Sequence, residues 1–112
     1  MKKVLIGIMA LILGVFIVGC GGNKKPDGVS DDMYEKAIYA IKVVDLYLNG
    51  EATQDETYEK IKAIKIKEFN DYQGKDIDVF TEISILKLKN YGNISEIKEV
   101  RDKLAKAINY KD

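Results

Sequence analysis

The sequence predicts an all-α fold, a small bundle of about four short helices behind a signal peptide and a flexible tether. Three observations lead there. Gly50, Gly74 and Gly92 divide residues 31–112 into four pieces of helical length. Each piece opens on acidic or capping side chains, which helix N-termini favour because their first N–H groups lack partners. Within the first and last pieces apolar residues recur at about 100° per residue.

The first helix is expected to start at Ser30, Asp31 and Asp32, with Met33, Ala37, Ile41, Val44 and Leu48 on one side. The second starts at Thr53-Gln54-Asp55-Glu56. That spacing is a capping box, in which Thr53 and Glu56 satisfy each other's backbone amides. The third starts near Asp76 and Asp78, and the fourth between Asn93 and Glu96, with Asn93 or Ser95 as its cap. In the fourth, Ile94, Ile97, Val100, Leu104, Ala107 and Ile108 share a face. Each glycine follows an apolar run, where a left-handed residue closes a helix. Glu56–Lys60, Glu99–Lys103 and Asp102–Lys106 are acid-to-base pairs four apart, each worth a few tenths of a kcal/mol. The middle of the chain is two-valued. Ala63–Lys67 and Ile85–Lys89 also alternate apolar with basic residues, as strands do, which keeps a helix-plus-hairpin arrangement open.

Ahead of this body lie two other segments. Residues 1–19 begin with Lys2 and Lys3 and continue as an uncharged apolar run from Val4 to Val18. The run falls short of the roughly 20 residues a spanning helix needs, and it has the layout of a secretory signal peptide. Residues 20–30 are rich in Gly, Lys and Asn, with a single Pro, and read as a tether whose typical reach is about 17 Å.

Composition removes several kinds of chemistry. The chain has no His and no Trp, one Cys, and 18 basic against 18 acidic residues. Histidine catalysis and histidine metal sites are excluded, as is a disulfide within the chain. Balanced charge gives no basic face for nucleic acid. Asp71, Asp76, Asp78 and Glu82 lack the spacing of a calcium loop, and Asp76 or Asp78 is expected to cap a helix. Ser30, Ser84 and Ser95 have no nucleophile setting. The expectation is a non-enzymatic protein with no cofactor and no metal.

The lone cysteine ends the leader. Ile17-Val18-Gly19-Cys20 resembles the lipobox of bacterial lipoproteins, an aliphatic residue and two further positions before an obligatory Cys. The resemblance implies that Cys20 is the lipidated residue and mature N-terminus, carrying diacylglycerol, and that Ile17, Val18 and Gly19 are read by the signal peptidase. Two acyl chains would anchor stably where one does not. The implied location is the extracytoplasmic face of the cell membrane. The Lys, Ile, Tyr and Asn richness of the remainder is similar to small lipoproteins of low-GC Gram-positive bacteria.

One more pattern stands out in the first helix. Opposite its main stripe lie Tyr39, Val43 and Leu46, with Tyr47 beside them. A helix apolar on two sides is either sandwiched or leaves one side open to a partner. The seven tyrosines are expected to pack at the rim of the core with their hydroxyls in water. The expected function is a membrane-tethered interaction module with an envelope protein partner. The alternatives are a phage- or plasmid-borne exclusion lipoprotein, or a precursor whose leader releases a signalling peptide.

Overall fold

The computed structural model describes residues 25–111, so the leader and Cys20 lie outside the described residues. Four helices form: α1 (Asp31–Leu48), α2 (Gln54–Lys62), α3 (Lys75–Leu88) and α4 (Ile94–Ala107), with a 3-10 turn at Phe69–Asp71 before α3. No strand occurs among the described residues, so the helix-plus-hairpin alternative falls away.

The starts follow local chemistry. Ser30 Oγ accepts the Met33 amide at 3.3 Å. The capping box closes on α2, with Glu56 N–H donating to Thr53 Oγ1 at 3.1 Å and Thr53 N–H to Glu56 Oε1 at 2.9 Å. Asn93, not Ser95, caps α4, accepting from the Glu96 amide at 3.2 Å.

The ends are less regular. Gly50, at φ +78°, closes α1 as expected. Its amide donates to Tyr47 O at 3.1 Å and the Glu51 amide to Leu46 O at 2.8 Å, the paired bonds of a Schellman turn. Asn109, at φ +56°, closes α4 by the same two bonds to Lys106 O and Ala105 O. The other two glycines do not close helices. Gly74 sits at the start of α3, and α3 ends at Leu88, before Gly92. The second piece is helical only to Lys62; Ala63 caps α2 in a helical conformation, and residues 64–68 carry no regular secondary structure. Ile64 is buried and Ile66 half-buried, while Ala63, Lys65 and Lys67 are exposed. The alternation there is therefore that of an irregular strap laid on the core, without a strand partner. Lys87 holds it: its ammonium donates to Lys62 O at 3.0 Å and also to Ile64 O. The matching run at Ile85–Leu88 is helical instead.

α1 is the central element. It contacts α2, α3 and α4, and α3 packs most extensively on α4. Met33, Ala37, Ile38, Ala40, Ile41, Val43 and Val44 are all buried, so α1 is covered on more than one side. Ile61, Ile83, Leu86, Ile97, Leu104 and Ile108 complete the centre of the core.

The tether ends earlier than expected. Val29 is 2% exposed and belongs to the core. Its amide donates to Pro26 O at 3.3 Å, its carbonyl accepts Lys25 Nζ at 2.7 Å, and the Ser30 amide donates to Asp76 Oδ1 at 2.8 Å. One apolar side chain with an α3 carboxylate behind it is enough to dock residues 25–30 on the bundle. Burial of Val29 contributes about 1.5 kcal/mol or more.

Candidate interaction surface

The second apolar side of α1 resolves into three different roles. Val43 is 1% exposed. This corrects its place in an open stripe: α1 is sandwiched at that level, and Val43 is core. Tyr47, half-buried, is held inward. Its hydroxyl donates to the Tyr91 carbonyl, and the two rings lie 6.2 Å apart. Leu46 is half-buried, its carbonyl engaged in the Schellman turn. Tyr39 lines an open depression. With Asp32, Glu35, Lys36, Lys60 and Lys65 it forms a shallow groove of about 430 Å³ between α1 and the end of α2. Lys36 is tied to Asp32 at 2.6 Å. Partial burial raises the pKa of the Tyr39 phenol above its ordinary value, so it remains a neutral donor and acceptor at physiological pH.

A second groove, of about 500 Å³, lies between α1 and α4 and is lined by Asp45, Leu48, Ile94, Lys98, Arg101 and Asp102. Its floor is an ion pair rather than a ligand site. Arg101 bonds Asp45 through Nε–Oδ1 at 2.8 Å and Nη2–Oδ2 at 3.1 Å, and reaches Asp102 at 3.2 Å. Asp102 also takes Lys98 at 3.2 Å, so the expected Asp102–Lys106 pair is replaced. Glu99–Lys103 forms as expected at 3.3 Å. Glu56 is held in its capping box, which together with Lys60 lowers its pKa.

The tyrosines divide likewise. Tyr91 is 2% exposed, contrary to a rim position, and donates to Leu86 O at 2.8 Å. Burial, with Tyr58 beside it, drives its pKa far upward. Tyr58 meets Tyr91 edge-on at 5.9 Å. Tyr72 accepts the Lys67 amide at 2.7 Å and packs on Phe80 at 5.1 Å, with Phe69 6.0 Å from Phe80 on the same ring. Among the described residues four large hydrophobic side chains are open to solvent: Tyr58, Phe69, Leu88 and Ile94, of which Phe69 is 54% and Leu88 87% exposed. Phe69 was not singled out from the sequence. Its one signal was an aromatic in a polar stretch that fits neither helix nor strand period.

The expected cap of α3 by Asp76 or Asp78 does not form: its N-cap is Gly74, without a side-chain cap bond, and Asp76 instead accepts the Ser30 amide, while Asp71 accepts the Glu68 amide at the 3-10 turn. Glu82 has one carboxylate oxygen buried with no hydrogen-bond partner, and burial raises its pKa, Lys103 opposing and Asp78 adding to the effect. Among the described residues no group of three or more His, Cys, Asp or Glu side chains could hold a metal ion, and no helix is long and apolar enough to cross a membrane. Ile17, Val18, Gly19 and Cys20 lie outside the described residues. Comparison with protein-family models, curated proteins and solved structures finds no match to this chain.

Proposed function

We propose that the chain is a lipid-anchored, non-enzymatic interaction module, held at the outer face of the cytoplasmic membrane through diacylglyceryl Cys20. It meets an envelope protein through the groove around Tyr39. The observation that carries this reading is the lone cysteine's position. Cys20 closes an apolar leader at a lipobox-like Ile17-Val18-Gly19, five residues before Lys25, where the packed body begins. The groove supports the second half. It joins a half-exposed aromatic, of the kind enriched at interface centres, to lysines and carboxylates of both signs.

Crosslinking in intact cells tests both halves. Wild type is expected in the membrane fraction with discrete crosslinked species. Cys20→Ala should leave that fraction, and Tyr39→Ala should stay in it while losing the crosslinks. A Cys20→Ala protein that fractionates like wild type would overturn the anchor. A Tyr39→Ala protein with every crosslink intact would overturn the groove.

A further inference from the structure

We infer that the turn carrying Phe69 is a second membrane contact, an aromatic foot that enters the outer leaflet's interface and sets the orientation of the tethered bundle. This rests on the proposed lipidation of Cys20. Three observations carry it, and the first is reach. Residues 21–24 separate Cys20 from Lys25, so the anchored sulfur stands at most about 18 Å from the body even with the chain fully extended. The end of the bundle from which the chain emerges must therefore face the bilayer.

The second observation is which end that is. The docked segment is fastened to the start of α3 by Ser30 and Asp76. A Cβ placed on Gly74 would come 3.8 Å from the Gly28 carbonyl, so the start of α3 and the docked segment are neighbours, and Phe69 packs on Phe80 in the first half of the same helix. The turn belongs to the membrane-facing end.

The third is that Phe69 is held outward rather than left loose. The Glu68 amide donates to Asp71 Oδ2 at 3.1 Å and the Asp71 amide to Glu68 O at 2.9 Å, closing the turn. Tyr72 and Phe80 back it, leaving the Phe69 ring more than half exposed. A rigid, exposed aromatic at the height of the headgroups is suited to the interface, where aromatic side chains concentrate. Charge does not drive the contact. Lys25, Lys67 and Lys75 at this end are outnumbered by Asp27, Asp31, Asp32, Glu68, Asp71 and Asp78, all exposed. Zwitterionic lipid is therefore sufficient.

The chain has no Trp, so Phe69→Trp creates a single fluorophore. The full chain, matured in bacterial cells, is reconstituted into phosphatidylcholine vesicles, with Asn70→Trp on the same turn and Leu88→Trp at the other end of α3 as companions. Circular dichroism checks that each keeps wild-type helix content, and intact mass checks the lipid on Cys20. The expected result is emission shifted to shorter wavelength and quenching by brominated phosphatidylcholine for Trp at 69 or 70, and neither for Trp at 88. Adding phosphatidylglycerol or salt should change little. Water-like emission at 69 and 70 on a chain carrying diacylglycerol overturns the foot and leaves the anchor standing. So does equal quenching at 88, or a signal confined to anionic lipid at low salt. A bare Cys20 by mass overturns the anchor and the foot together.

Discussion

Arg101 and Asp45, far apart in sequence, share a two-point bond that ties α4 to α1: Nε to Oδ1 at 2.8 Å and Nη2 to Oδ2 at 3.1 Å. The arginine side chain is 9% exposed and the aspartate 29%. The fork geometry suits a carboxylate, and the near-burial of the guanidinium makes its partner costly to remove. Asp45→Ala should destabilise the fold by about 1–3 kcal/mol, read as a lower urea midpoint at unchanged slope. The double variant Asp45→Leu/Arg101→Met should recover much of that loss, since no charge is then stranded. Losses that simply add would show that the two side chains are not coupled.

Val43 and Tyr39 provide a contrast within one helix. Val43→Glu places a charge where 1% of the residue is exposed, and should cost about 4 kcal/mol or more, leaving little helical signal at 37 °C. Tyr39→Ala, on a half-open groove, should shift thermal unfolding only slightly. A folded Val43→Glu protein would mean that this side of α1 is not packed as described.

The buried oxygen of Glu82 makes a pH prediction. Its pKa in the folded protein lies above the ordinary 4.5, so the folded state holds this proton more tightly than the unfolded chain. The group's contribution is therefore neutral below about 4.5 and becomes a penalty as pH rises through the raised value. Glu82→Gln should stabilise at neutral pH and give no gain at pH 4. Glu56 acts oppositely: its lowered pKa contributes stability above 4.5 that disappears as pH falls through the folded value. Denaturation midpoints for Glu82→Gln and Glu56→Gln across pH 3–8 should move in opposite directions relative to wild type.

Lys87 donates to two of the strap's carbonyls, Lys62 O and Ile64 O, and partial burial lowers its pKa. Lys87→Met should leave those carbonyls to water. Hydrogen exchange should then quicken in residues 62–67 while the centres of α1 and α4 stay protected. Unchanged exchange in that segment would mean that the strap is held by Ile64, Ile66 and the Lys67–Tyr72 bond without Lys87.

How much of this was legible beforehand follows the range of the interactions. Ser30, Thr53 and Asn93 were readable because a cap is settled within three residues. Gly50 was readable because its φ is positive and its place follows an apolar run. The end of α2 was not, since the carbonyls of Lys62 and Ile64 are bonded there by Lys87, from another helix. The sequence did carry a hint, because Lys65 falls inside the apolar stripe that a longer α2 would need and Ile66 falls outside it. Val29 looked like one apolar residue in a polar tether, and only Asp76 on α3 makes it core. The two-sided α1 left Val43 undecided until the neighbouring helices were in place. Asn109 shows a left-handed closure without a glycine, which no spacing rule marks. Of the surface, Tyr39 was singled out from its position on α1, whereas Phe69 required knowing which end of the bundle the leader leaves.

If Cys20 carries the lipid proposed above, the clasp between Ser30 and Asp76 has a mechanical meaning. Tension arriving through residues 21–24 meets the start of α1 and the start of α3 together, because the Ser30 amide and the Asp76 carboxylate join them and the buried Val29 shares the load. A pull on the lipid is spread over two helices before it can peel either.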